Sequence, residues 1–80
     1  MFNEKQLKVI EIGITAGLDV SIYAKPEFSD SQMLGILWGL GYGLDVSSYA
    51  KPEFDGEEMW EITKRMLDEK IKSNSPLTPP

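Results

Sequence analysis

The chain predicts an all-α fold, three short tandem-repeat helices stacked as a miniature solenoid or bundle, and three observations carry that prediction. First, the block from Gly17 to Phe28 returns as Gly43 to Phe54, 26 residues further on, with eleven of twelve positions identical. A period of this length marks stacked supersecondary units, each too small to bury its own apolar face. Second, the repetition extends beyond that block. Phe2, Phe28 and Phe54 share the spacing, as do Asn3, Ser29 and Asp55, then Gln6, Gln32 and Glu58, and Ile10, Ile36 and Ile62. Third, every unit opens on the same helix-start signal, so three units begin at 2, 28 and 54.

Asn3, Ser29 and Asp55 are N-cap residues whose side-chain oxygens accept from an otherwise orphaned N–H of the first turn. Gln6, Gln32 and Glu58, three residues later, complete a capping box. The phenylalanine before each cap and Leu7, Met33 or Met59 after it occupy the two positions of a hydrophobic staple. Helices are therefore expected at about 4–16, 30–42 and 56–72. Gly17 and Gly43 fit the left-handed position after a helix, with Leu18 and Leu44 next, where an apolar residue packs back. Asp19 and Asp45 are placed to cap one further short helical turn through Val-Ser-x-Tyr. Lys25 and Lys51 precede prolines and so read as extended.

The apolar pattern assigns faces. The stripe Leu7, Ile10, Ile14 is expected to be the core face of the first helix. Met59, Ile62 and Met66, widened by Trp60 and Leu67, are expected to be that of the third. The second helix has no charged residue from Ser31 through Tyr42 and carries two apolar stripes, Met33, Ile36, Leu37, Leu40 and Leu34, Trp38, Tyr42. A helix apolar around most of its circumference is buried on several sides, which places it between the other two. Gly13 and Gly39 lie inside helices, where glycine costs about 1 kcal/mol relative to alanine; close helix–helix approach is the expected compensation. The whole reads as one domain over residues 1–72, followed by a polar, proline-rich disordered tail over 73–80.

Eighty residues make a single small domain that is marginal unless it packs well or oligomerises. The absence of cysteine removes disulfides and thiolate chemistry, and the absence of histidine removes the usual general base, metal ligand and neutral-pH switch. A net charge of -5 argues against nonspecific binding to nucleic acid or an anionic membrane, and suits a basic protein partner. With no signal-peptide pattern and no run of about 20 apolar residues, a soluble cytoplasmic protein is expected, with no cofactor.

Three groups of residues are candidates for function. Trp38, Tyr42 and Trp60 are either core or, where exposed, anchors for a protein partner or a second copy, since Trp and Tyr dominate binding hot spots. The acidic run Glu53, Asp55, Glu57, Glu58, Glu61 is explained in part by capping and by the helix dipole, which leaves Glu57 and Glu61 as an acidic patch for a basic cleft. Carboxylates alone, without the spacing of a calcium loop, do not make a metal site. Finally, Tyr23 and Lys25, with Tyr49 and Lys51 one repeat on, are positioned to line one edge as a site for a phosphate or nucleotide. The simpler reading of that loop is scaffold: the aspartate caps a turn, the tyrosine packs over the next helix, and the lysine is solvated.

The block Gly-Leu-Asp-Val-Ser-x-Tyr-Ala-x-Pro-x-Phe, followed by a helix that begins x-x-x-Gln-Met, resembles a short tandem repeat of proteins from gut Firmicutes and their phages and integrative elements. The resemblance covers residues 2–72, with the third unit departing after Met66. It implies a helical repeat scaffold and a mobile-element setting, and it carries over no functional residue. The expected function is a small, acidic, non-enzymatic binding or inhibitor protein acting by protein–protein contact, in the manner of anti-CRISPR antagonists of bacterial immunity. The alternatives are a sponge for a nucleotide second messenger and a structural oligomerisation module.

Overall fold

Capping chemistry sets where each helix begins. In the computed structural model, which describes residues 1–73, α1 spans Glu4–Thr15, α2 spans Asp30–Gly41 and α3 spans Gly56–Ser73. All three capping boxes are present. Asn3 and Gln6, then Ser29 and Gln32, each bond the other's backbone N–H, and Asp55 and Glu58 do the same at 3.0 and 2.8 Å. The helices match the predicted ones to within a residue at each end. Ser73 closes α3 rather than opening the tail, and residues 74–80 lie outside the described residues.

The first two helices stop in the same way. Gly17 and Gly43 both have φ of 76°, the left-handed region that glycine enters without a Cβ clash. The N–H of Gly17 bonds Ile14 O and that of Leu18 bonds Gly13 O, and Gly43 and Leu44 repeat the pattern on Leu40 and Gly39. This is the Schellman motif, which satisfies carbonyls the helix end would otherwise orphan. The chain then makes the expected extra turn, a 3₁₀ segment at Val20–Ile22 and again at Val46–Ser48. Asp19 and Asp45 cap these turns by accepting from the N–H groups of Ser21 and Ser47. The Ser47 hydroxyl and amide together hold the Asp45 carboxyl below the usual carboxylate range. A second turn, closed by Phe28 N–H to Lys25 O at 3.1 Å and by Phe54 N–H to Lys51 O at 3.2 Å, places proline where no N–H is needed and delivers the chain to the next cap.

The helices stack in sequence order, with α2 packed against both α1 and α3. The core is Val9, Tyr23, Phe28, Met33, Ile36, Leu37, Val46, Tyr49 and Met59, with Ile62 and Met66 partly buried against it. Two close approaches bring α3 onto α2. A Cβ at Gly35 would lie 2.9 Å from that of Met59, and one at Gly56 would lie 2.8 Å from Ser31 O.

Three face assignments are corrected. In α1 the buried residues are Gln6, Val9 and Gly13, whereas Leu7 and Ile14 are 51% and 61% exposed. The reason is that α2 and the tyrosine loop dock on the Gln6–Gly13 side, where a polar side chain and a glycine fit specific partners that a hydrophobicity pattern does not register. In α2 the second stripe, Leu34, Trp38 and Tyr42, is exposed rather than buried, because neighbours flank the helix on two sides only. At Gly13 and Gly39 the close approach comes from a loop, not a helix. A Cβ there would overlap the hydroxyl of Tyr23 or Tyr49 and lie 2.6 Å from the Cγ1 of Val20 or Val46.

Candidate functional site: an aromatic strip across the three helices

Exposure of α2's second stripe creates the main surface feature. Leu34, Trp38 and Tyr42 fall on one side of the helix at the i, i+4, i+8 spacing. Trp38 and Tyr42 are 43% and 46% exposed. Across the α2–α3 seam, Trp60 meets Trp38 edge to face, with centroids 4.4 Å apart and planes at 78°, a favourable geometry for the ring quadrupoles. Two open clefts flank Trp38. One runs between α1 and α2 and is lined by Ile12, Ala16, Leu18, Leu37, Trp38 and Tyr42. The other runs between α2 and α3, with Leu34, Trp38 and Trp60 on its walls and Ser31 and Glu57 at its edge. The result is one apolar strip that crosses all three helices.

The sequence candidates divide on this map. Trp38, Trp60 and Glu57 gather around one cleft, and Tyr42 lies in the other cleft, which shares Trp38. Glu61 is exposed on the next turn of α3, where it pairs with Lys64 at 2.9 Å. The same Lys64 ammonium sits 5.8 Å from the Trp60 ring centroid, within cation–π range. Glu57 is therefore the acid at the strip's edge with no ion pair among the described residues, while Glu61 is paired within the chain. Of the other strip residues, Leu34 belongs to the second stripe read from the sequence, and Ile12 was not singled out. Ile12 had a signal, as the one isoleucine of α1 outside the Leu7 stripe.

The tyrosine–lysine edge is corrected. Tyr23 and Tyr49 are both fully buried and offer no ring face to a ligand. Tyr23 donates to Val9 O at 2.8 Å and so is also tied back to the helix before it. The Tyr49 hydroxyl is hydrogen-bonded to Thr63 Oγ1 at 2.9 Å, tying the loop to α3. Burial raises the pKa of both phenols above the usual 10.0. Lys25 and Lys51 are exposed, so what remains of that edge is two solvated ammonium groups.

Among the described residues no group of three carboxylates is close enough to hold a metal ion, and no helix is long and apolar enough to cross a membrane. No family model, curated protein or solved structure matches the chain.

Proposed function

We propose that this chain is a non-enzymatic binding protein that acts by protein–protein contact, with the aromatic strip as its contact surface. In the mobile-element setting that the resemblance of its repeat implies, the partner is a component of bacterial immunity, which the chain inhibits by occupying a functional surface. The observation that carries the reading is the exposure of Trp38 and Tyr42 beside Trp60 in one continuous apolar strip. Contiguous apolar surface rimmed by charge marks interaction sites, and rigid aromatics supply contact area at low entropic cost. Glu57 at the edge and the overall charge of -5 favour a partner with a basic rim. The burial of Tyr23 and Tyr49 weighs against a nucleotide sponge built on the repeated loop.

The test is an affinity capture from a gut Firmicute lysate, run in parallel with wild type and with Tyr42→Ala. Tyr42 is chosen because its side chain is half exposed and outside the core, so its loss leaves the fold intact. One protein strongly enriched by wild type and reduced at least about tenfold by Tyr42→Ala, as expected for a hot-spot aromatic, supports the reading. A prey that ignores Tyr42→Ala, Trp38→Ala and the Glu57→Lys, Glu61→Lys pair removes the strip as the contact surface.

A further inference from the structure

The stripe formed by Leu7, Ile10 and Ile14 is left uncovered by the described residues. Leu7 and Ile14 are exposed, and Ile10 between them is only partly buried. One repeat on, the equivalent residues are Met33, Ile36 and Leu40; two repeats on, they are Met59, Ile62 and Met66. Met33, Ile36 and Met59 are completely buried, and Met59 achieves this against Gly35 of α2. The fold thus uses this stripe to seat a helix on its predecessor, and α1 presents it to solvent. The far end of the stack differs. The α3 counterparts of Val9 and Gly13, the positions that receive a neighbour, are Glu61 and Arg65, and both are exposed. A second copy cannot extend the stack head to tail, because an apolar stripe would there desolvate charges without pairing them.

The stripe is, however, complementary to itself. A two-fold axis through its middle sets two α1 helices antiparallel, with Leu7 facing Ile14 of the partner subunit and the two Ile10 side chains meeting near the axis. Lys8 and Glu11, three residues apart, lie together on the flank of the stripe away from the core. Among the described residues neither takes part in an ion pair. In the antiparallel arrangement like flanks face each other in reversed order, which brings each Lys8 to the Glu11 of the partner subunit. A parallel arrangement would instead turn this flank toward the Gln6 side, which the fold already fills. We propose that α1 is a homodimer interface, with Leu7, Ile10 and Ile14 as its apolar seam and two reciprocal Lys8–Glu11 pairs beside it.

Such a seam is smaller than the standard interface, so association is weak and requires high concentration. Sedimentation equilibrium from about 10 µM to about 1 mM spans the range for a contact of this size. The wild type is expected to move from monomer toward twice the monomer mass. Leu7→Glu and Ile14→Glu are expected to stay monomeric with unchanged far-ultraviolet circular dichroism, because both side chains are already largely in water. Lys8→Glu and Glu11→Lys are each expected to weaken dimerisation about threefold to tenfold, as two symmetry-related exposed pairs are lost, and the double swap is expected to restore it. A monomer throughout the range overturns the proposal. So does a dimer that survives Leu7→Glu, and one abolished by Trp38→Glu but indifferent to Leu7→Glu would place the contact on the aromatic strip. Partner capture through Tyr42 is read separately, so failure of either surface leaves the other standing.

Discussion

Two glycines inside helices and two tyrosines after them form a single device, used twice. Gly13 and Gly39 give up helix propensity so that Tyr23 and Tyr49 can lay their rings and hydroxyls against the helix backbone. Gly39→Ala is accordingly expected to destabilise by about 1–3 kcal/mol, the usual cost of overpacking a filled site. Gly41→Ala, two residues on and with open space around its Cβ, is expected to stabilise by up to about 1 kcal/mol through helix propensity. Urea unfolding of the two variants side by side checks both. The buried phenols also set an alkaline limit. Their folded pKa values are raised above the 10.0 of an exposed tyrosine, so the neutral form is favoured by folding. The stability they contribute is fully present below pH 10 and is lost as pH rises from there through the folded values. Circular dichroism followed during an alkaline titration is expected to show unfolding above pH 10, and the denaturant midpoint is expected to fall over that interval. The identical spacing made the glycine–tyrosine pair legible as a constant of the repeat. Its geometry was not legible, because a pattern of identities does not say that a tyrosine turns back to the last helix as well as reaching the next.

The starts and stops of the elements could be read directly, since an N-cap, a capping box and a left-handed glycine are local chemistry. The faces were harder. In α1 a polar residue, Gln6, is buried while Leu7 is not, and the cause is a second task for the N3 glutamine. Its Oε1 caps its own helix, and its Nε2 donates to Phe28 O in unit 1 and to Pro52 O and Phe54 O in unit 2. Unit 3 has Glu58 at this position, exposed and engaged in the capping box alone, where a carboxylate serves as well as an amide. The order Gln, Gln, Glu thus encodes which units clasp a successor. Gln32→Glu keeps the cap acceptor and loses the donor, leaving a carboxylate against two carbonyl oxygens. It is expected to cost about 1–3 kcal/mol, while Glu58→Gln is expected to change stability by less than about 0.5 kcal/mol. Thermal melts of both variants distinguish this two-task role from simple capping, which would make the two positions equivalent.

At the scale of the whole molecule, a single row of helices leaves a large share of its apolar residues at the surface. The helices lie side by side in one row, with α2 between α1 and α3. A single row buries the two flanks of α2 and leaves its third side to solvent, which is how Trp38 and Tyr42 come to be exposed on a helix with no charged residue after Asp30. The same geometry exposes the Leu7 stripe at one end, while charge closes the other at Glu61 and Arg65. Chain length foretold a limited capacity to bury the apolar side chains. Which of them would be left outside depended on the order of stacking, and that is a property of no single helix. The clasp between units bears on how this row comes apart. Gln32 holds the carbonyls at which α3 begins, and Tyr49 is tied to α3 through Thr63. Opening the last helix therefore breaks bonds rooted in the unit before it, and the row is expected to exchange its protected amides as one cooperative unit rather than by peeling from an end, which native-state hydrogen exchange would check. A substitution that cuts only the clasp would separate α3 into a foldon of its own, released at lower free energy than α1 and α2 while every helix keeps its cap.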